Sequence, residues 1–89
     1  DISNKDIQFL NATGTMWVEV EQICSLIQPR RKQTENKLVT VLEGSIEIGS
    51  SDGTATFETG DTFYIKKDSE ISMKADVNTK MINVCYQAP

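Results

Sequence analysis

Histidine is absent from the 89 residues. With it go the usual general base, the usual metal ligand and the side chain that changes charge near neutral pH. Cysteine is scarce. Cys24 and Cys85 are the two, and each lies in an apolar, strand-like run. A secreted disulfide scaffold carries more, so the pair reads as two buried thiols in a reducing compartment, with one bridge open but not indicated. Positive charge is in deficit: nine Lys and Arg stand against thirteen Asp and Glu, a net of −4. That argues against this domain coating nucleic acid or an anionic membrane. No run approaches the roughly 18–20 apolar residues of a membrane span, and no secretory leader is visible. Helical patterning is missing as well, since no window sustains an i, i+3, i+4, i+7 apolar stripe. The length leaves room for one domain, residues 1–89, whose folding buries only about 60–65% of the unfolded surface. The sequence opens at Asp1 and reads as a piece of a longer protein.

What is present favours strands. Val, Ile and Thr supply 24 of the 89 residues, and turn signals recur at short intervals. They include Asn11-Ala12-Thr13-Gly14, Gln28-Pro29, Glu43-Gly44, Ser50-Ser51-Asp52-Gly53, Thr59-Gly60-Asp61 and Lys66-Lys67-Asp68-Ser69. Between the turns the pattern predicts strands over 7–10, 15–21, 23–28, 37–43, 45–49, 54–58, 62–65, 70–75 and 80–86. Asp52-Gly53 between two alternating runs marks the clearest hairpin. Many short strands at about ten-residue spacing describe an all-β sandwich or barrel.

Two stretches carry more than generic β character. Leu38-Val39-Thr40-Val41-Leu42-Glu43-Gly44 runs into Ser45-Ile46-Glu47-Ile48, and Gly60-Asp61-Thr62-Phe63-Tyr64-Ile65 continues to Ile71. Together they resemble the two signature segments of the cupins, small jelly-roll barrels. The resemblance covers residues 23–86, with N-terminal strands from 1–22 added to that core. It implies a cupin-type jelly-roll barrel. The departures are informative. Counting back from Gly44, the family's metal-ligating Glu falls on Lys37, and its pair of His among Arg30, Arg31, Lys32 and Gln33. The last His falls on Ile71, and the Pro and Gly of the second motif are Lys66 and Asp68. An ammonium cannot donate to a metal and isoleucine has no ligand atom, so the expectation at these positions is no metal and no cofactor.

Within the cupins the pattern most resembles the C-terminal domain of centromere protein C, a degenerate, metal-free cupin. The residues that carry this are Ile23-Cys24-Ser25-Leu26-Ile27-Gln28-Pro29, the basic Arg30-Arg31-Lys32-Gln33, the strand ending at Gly44, and Gly60 to Ile65. The resemblance implies a non-enzymatic homodimer in the nucleus, at the centromere or kinetochore. It also implies a docking surface for a centromeric histone chaperone or another kinetochore protein.

The residues themselves agree as far as they go. Val39, Val41, Phe63, Ile65, Ile71 and Met73 are expected to fill the barrel, which turns Leu38, Thr40 and Leu42 outward. Trp17 shares a strand face with Glu19 and Glu21, read as the solvent side, while Met16, Val18 and Val20 form the other face. Phe9, Trp17, Leu38, Thr40 and Leu42 are therefore the expected interface residues for a dimer or partner. Arg30-Arg31-Lys32, with Lys37, and Lys66-Lys67 are basic clusters expected in turns at the barrel mouth. They suit an anion or, more simply, a solvated loop. No His can activate a Ser or Thr, Glu43 and Asp61 are accounted for as turn residues, and the thiols lie in apolar strands. Two alternatives stay open. One is a stand-alone cupin holding a sugar or small anion as enzyme or sensor. The other is half of a bicupin.

Overall fold

A computed structural model describes residues 14–75 and 78–88. Phe9 and the strand expected over 7–10 lie outside the described residues. Eight strands follow in order: β1 (Thr15–Ile23), β2 (Leu26–Lys32), β3 (Asn36–Glu43), β4 (Ser45–Ser50), β5 (Gly53–Glu58), β6 (Thr62–Ile65), β7 (Glu70–Ala75) and β8 (Thr79–Gln87). They form two four-stranded antiparallel sheets, ordered β1-β8-β3-β6 and β2-β7-β4-β5. The chain switches sheets at almost every turn. Only the β4–β5 hairpin stays within one.

The turn chemistry fixes those switches. Gly44, between β3 and β4, has φ +84°, a left-handed conformation that glycine adopts without steric penalty. A Cβ there would run into the Asn78 carbonyl oxygen and approach Thr79 Oγ1 to 2.7 Å. Asp61 fills the role read from the sequence, since its Oδ2 accepts from the Glu58 amide at 2.8 Å. Pro29 stands in β2 beside a register shift between Gln28 and Arg31. β2 is an edge strand, where a missing N–H is tolerated.

The sheets close over a core of Val39, Val41, Ile46, Ile65, Ile71, Ala75 and Met81, with Phe63 and Met73 partly buried against it. The Phe57 and Phe63 rings stack at 4.3 Å between centroids. Three expectations need correction. The run 23–28 is not one strand: Ile23 ends β1, Leu26 begins β2, and the bend between them crosses from one sheet to the other. Cys24 sits on that bend and is exposed, whereas Cys85 is buried. Arg30-Arg31-Lys32 belongs to β2 rather than to a loop, with Arg31 opposite Ile71 and Lys32 opposite Glu70.

Candidate functional site

The first sheet carries the unusual surface, and strand register defines it. Residues directly opposite in an antiparallel pair project to the same side. Val18, Val84, Leu38 and Tyr64 therefore make one row across the four strands, and Val20, Ile82, Thr40 and Thr62 the next. Met16, Tyr86 and Asn36 extend the face beyond the first row. Leu42 sits at the far end of β3, at a register shift between Val41 and Glu43. This side points away from the core. Val18 is 60% exposed and Val20 61%, with Met16, Leu38, Leu42 and Tyr64 between 41% and 56%. None of these residues is charged; the charges on this side, Lys80 opposite Gln22 and Glu43, stand in the row beyond Val20 and Ile82. Thr40 and Thr62 share a hydroxyl hydrogen bond of 2.9 Å across β3 and β6, so this polar pair in the middle of the face is largely satisfied within it.

The outer side of the second sheet differs. Its corresponding row runs Ile27, Lys74, Glu47, Thr56, an ordinary wet surface in which Ile27 is isolated. The contrast singles out the first face. A strand normally turns its apolar side to the core, and β1 does the reverse.

That reversal corrects the placement of Trp17. Trp17, Glu19 and Glu21 face the barrel interior, in rows with Cys85 and Lys37, with Asn83 and Val39, and with Met81 and Val41. Trp17 Nε1 donates to Glu19 Oε1 at 2.8 Å, and Asn83 Nδ2 donates to Glu21 Oε1. Both carboxylates gain a local donor, which lets them stand inward. Trp17 is thus an inward residue and not part of the outer face, whereas Leu38, Thr40 and Leu42 lie on it. The two sides of β1 have the composition the sequence shows and the opposite direction to the one expected. Val18 and Val20 were missed for that reason, and the register of β1 on β8 locates them; Tyr64 is located by its pairing with Leu38 across β3 and β6.

The inward polar group is compact. Lys37 Nζ lies 3.6 Å from Glu35 Oε1. Burial pushes the Cys85 thiol above its usual range, and the Glu19 carboxylate adds to the shift. Asn83 is 1% exposed, and its Oδ1 has no hydrogen-bond partner among the described residues. Beyond this group, Arg31, Lys32, Gln33, Thr34, Glu35 and Lys37 line an open, polar hollow of about 340 Å³ at one end of the barrel.

No family model matches the sequence, and no curated protein matches it. Solved structures do. The EutQ protein of Clostridium difficile superposes with a TM-score of 0.73 at 16% identity, over 82% of this chain and 57% of that one. Salicylate 1,2-dioxygenase from Pseudoaminobacter salicylatoxidans gives 0.69 at 18%, over 80% and 21%. The Schizosaccharomyces pombe Cnp3 cupin domain gives 0.68 at 13%, over 84% and 54%. The fold is the cupin jelly roll. The chain spans little more than half the length of the EutQ and Cnp3 chains.

The cupin metal positions can now be tested against the side chains present. Arg31 is exposed on β2, Lys37 is committed to Glu35, Gln33 donates its Nε2 to the Arg31 carbonyl at 3.1 Å, and Ile71 is a core residue at 6% exposure. Two cations, an amide already engaged and an aliphatic do not fit the ligand set of that site.

Proposed function

We propose that this cupin is a non-enzymatic homodimerisation and protein-docking module of the centromere protein C kind. In that role it acts in the nucleus at the kinetochore, with a centromeric histone chaperone or another kinetochore protein as its docked partner. One observation carries the reading: the outer face of β1-β8-β3-β6 is uncharged and mostly apolar across the rows of Met16, Val18 and Val20, with Lys80 and Glu43 confined to its end, while the other sheet's outer face carries Lys74 and Glu47 in its middle. A contiguous apolar face of this kind marks an interaction surface more often than free solvent exposure. The likeness to the Cnp3 cupin domain and the misfit at the cupin metal positions point the same way.

A two-fold axis through the face sets the same residues opposite themselves, so one introduced charge confronts its own copy. Light scattering is expected to give the mass of two chains, and Leu38→Glu or Val18→Glu the mass of one with the strand content unchanged. A wild-type chain that stays monomeric across a dilution series through micromolar concentrations would overturn the proposal. The hollow beside Arg31 and Lys32 supports a second reading, a small-anion-binding cupin. Lys37 is already paired with Glu35 and Arg31 lies against the Gln28 amide, which makes that hollow the weaker case.

A further inference from the structure

We propose that Glu19, Glu35 and Cys85 form a binding site for a divalent cation of the zinc class, at positions other than those where metal-binding cupins carry their ligands. The three come from different parts of the barrel wall: Glu19 from β1, Cys85 from β8, and Glu35 from the turn entering β3. One ligand atom from each lies within 4.8 Å of the other two. Zinc holds carboxylate oxygen and thiolate sulfur at about 2.0–2.3 Å, so an inward movement of about an ångström closes all three round one ion. A thiolate with two carboxylates is a donor set for a borderline-soft cation rather than for calcium or magnesium.

A second observation points to the same missing charge. Asn83 stands on the inward side of β8 between Met81 and Cys85 and directly opposite Glu19. Its Nδ2 is used by Glu21, and its buried Oδ1 has no donor among the described residues. A buried acceptor left without a donor is costly and uncommon. Among the described residues whose charges act on neighbouring Cys85, Glu19, Glu21 and Glu35 are carboxylates and Lys37 is the one cation. The group is short of positive charge, and a divalent ion supplies it. Lys37 is the resident cation when the metal is absent, and its flexible stem lets it withdraw. On binding, the Cys85 S–H bond gives way to a sulfur–metal bond and the proton passes to bulk water.

The test uses the whole chain and needs no dimer. Zinc chloride is expected to bind with one ion per chain and to raise the melting temperature with concentration, as a ligand of the folded state does. Cobalt(II) in its place should give a thiolate-to-metal charge-transfer band that survives Cys24→Ser and disappears in Cys85→Ser. Glu19→Gln and Glu35→Gln should each weaken zinc at least tenfold, while Glu47→Gln, on the far sheet's outer side, leaves it unchanged. If Cys85→Ser fails to fold, the two glutamine variants and Cys24→Ser decide the matter. No band in the folded wild type, a band that follows Cys24, or zinc affinity indifferent to both Glu19 and Glu35 would overturn the site.

Discussion

Gly44 shows how much one residue fixes. The chain leaves the first sheet for the second at φ +84°, against the Asn78 carbonyl and the Thr79 side chain. Gly44→Ala is therefore expected to destabilise by about 2 kcal/mol or more, from the left-handed penalty plus displacement of backbone. Chemical denaturation measures it. A cost below about half a kilocalorie would mean that the turn relaxes freely. Asp68 presents the opposite case, a non-glycine residue at φ +71° where cupins carry Gly. Asp68→Gly should stabilise by up to about 1 kcal/mol. The two cysteines also separate at this scale. Cys24 is exposed and Cys85 fully buried, so thiol reagents should modify Cys24 in the folded protein and reach Cys85 only on unfolding. In the metal-free protein, burial and then Glu19 raise the folded-state pKa of Cys85. The folded chain keeps that proton where the unfolded chain releases it, above about pH 8.5, so stability falls as pH rises through that window. Cys85→Ala should flatten the slope. Gly44 and Asp61 were legible in the sequence because turn chemistry is local. The unlike surroundings of the two thiols were not, because they depend on where a bend falls between sheets.

At the scale of the element, β1 is the instructive strand. Its alternation is plain in the sequence, and the two sides, Trp17-Glu19-Glu21 and Met16-Val18-Val20, are readable without a structure. Their direction is not. Apolar-inward is the sound default for a half-buried strand, yet β8 presents Asn83 and Cys85 to the carboxylate side and Ile82 and Val84 to the other. β3 was easier, because Val39 and Val41 carry no polar competitor for the core and Leu38 and Leu42 follow by parity. The inverted direction of β1 has a measurable consequence. Trp17→Ala removes a half-buried ring and the donor to Glu19, and should cost about 2–3 kcal/mol of folding stability. Val18→Ala, one position along, should leave the isolated fold within about half a kilocalorie. If the two variants exchanged these effects, the inward direction of Trp17 would be wrong.

For the whole molecule the question is why so short a chain turns apolar side chains outward while placing carboxylates within. Among the described residues the sheets enclose a cluster of seven buried apolar side chains, with Phe63 and Met73 among those packed at its margin. Self-association answers part of that deficit, because a standard interface withdraws about 800 Å² per partner from water. Folding and pairing then become linked, and the melting temperature must rise with chain concentration. Leu38→Glu should abolish that dependence and melt at the temperature that the dilute wild type approaches. Ile27→Glu supplies the control. Ile27 is 79% exposed, but it stands alone in a row with Lys74 and Glu47, so a charge there should change neither the melting temperature nor its concentration dependence. Calorimetry across a hundredfold range of concentration distinguishes the outcomes. A wild-type melting temperature that stays constant over that range would overturn self-association through the apolar face. Equal sensitivity to charge at Ile27 and Leu38 would instead deny the face any special role.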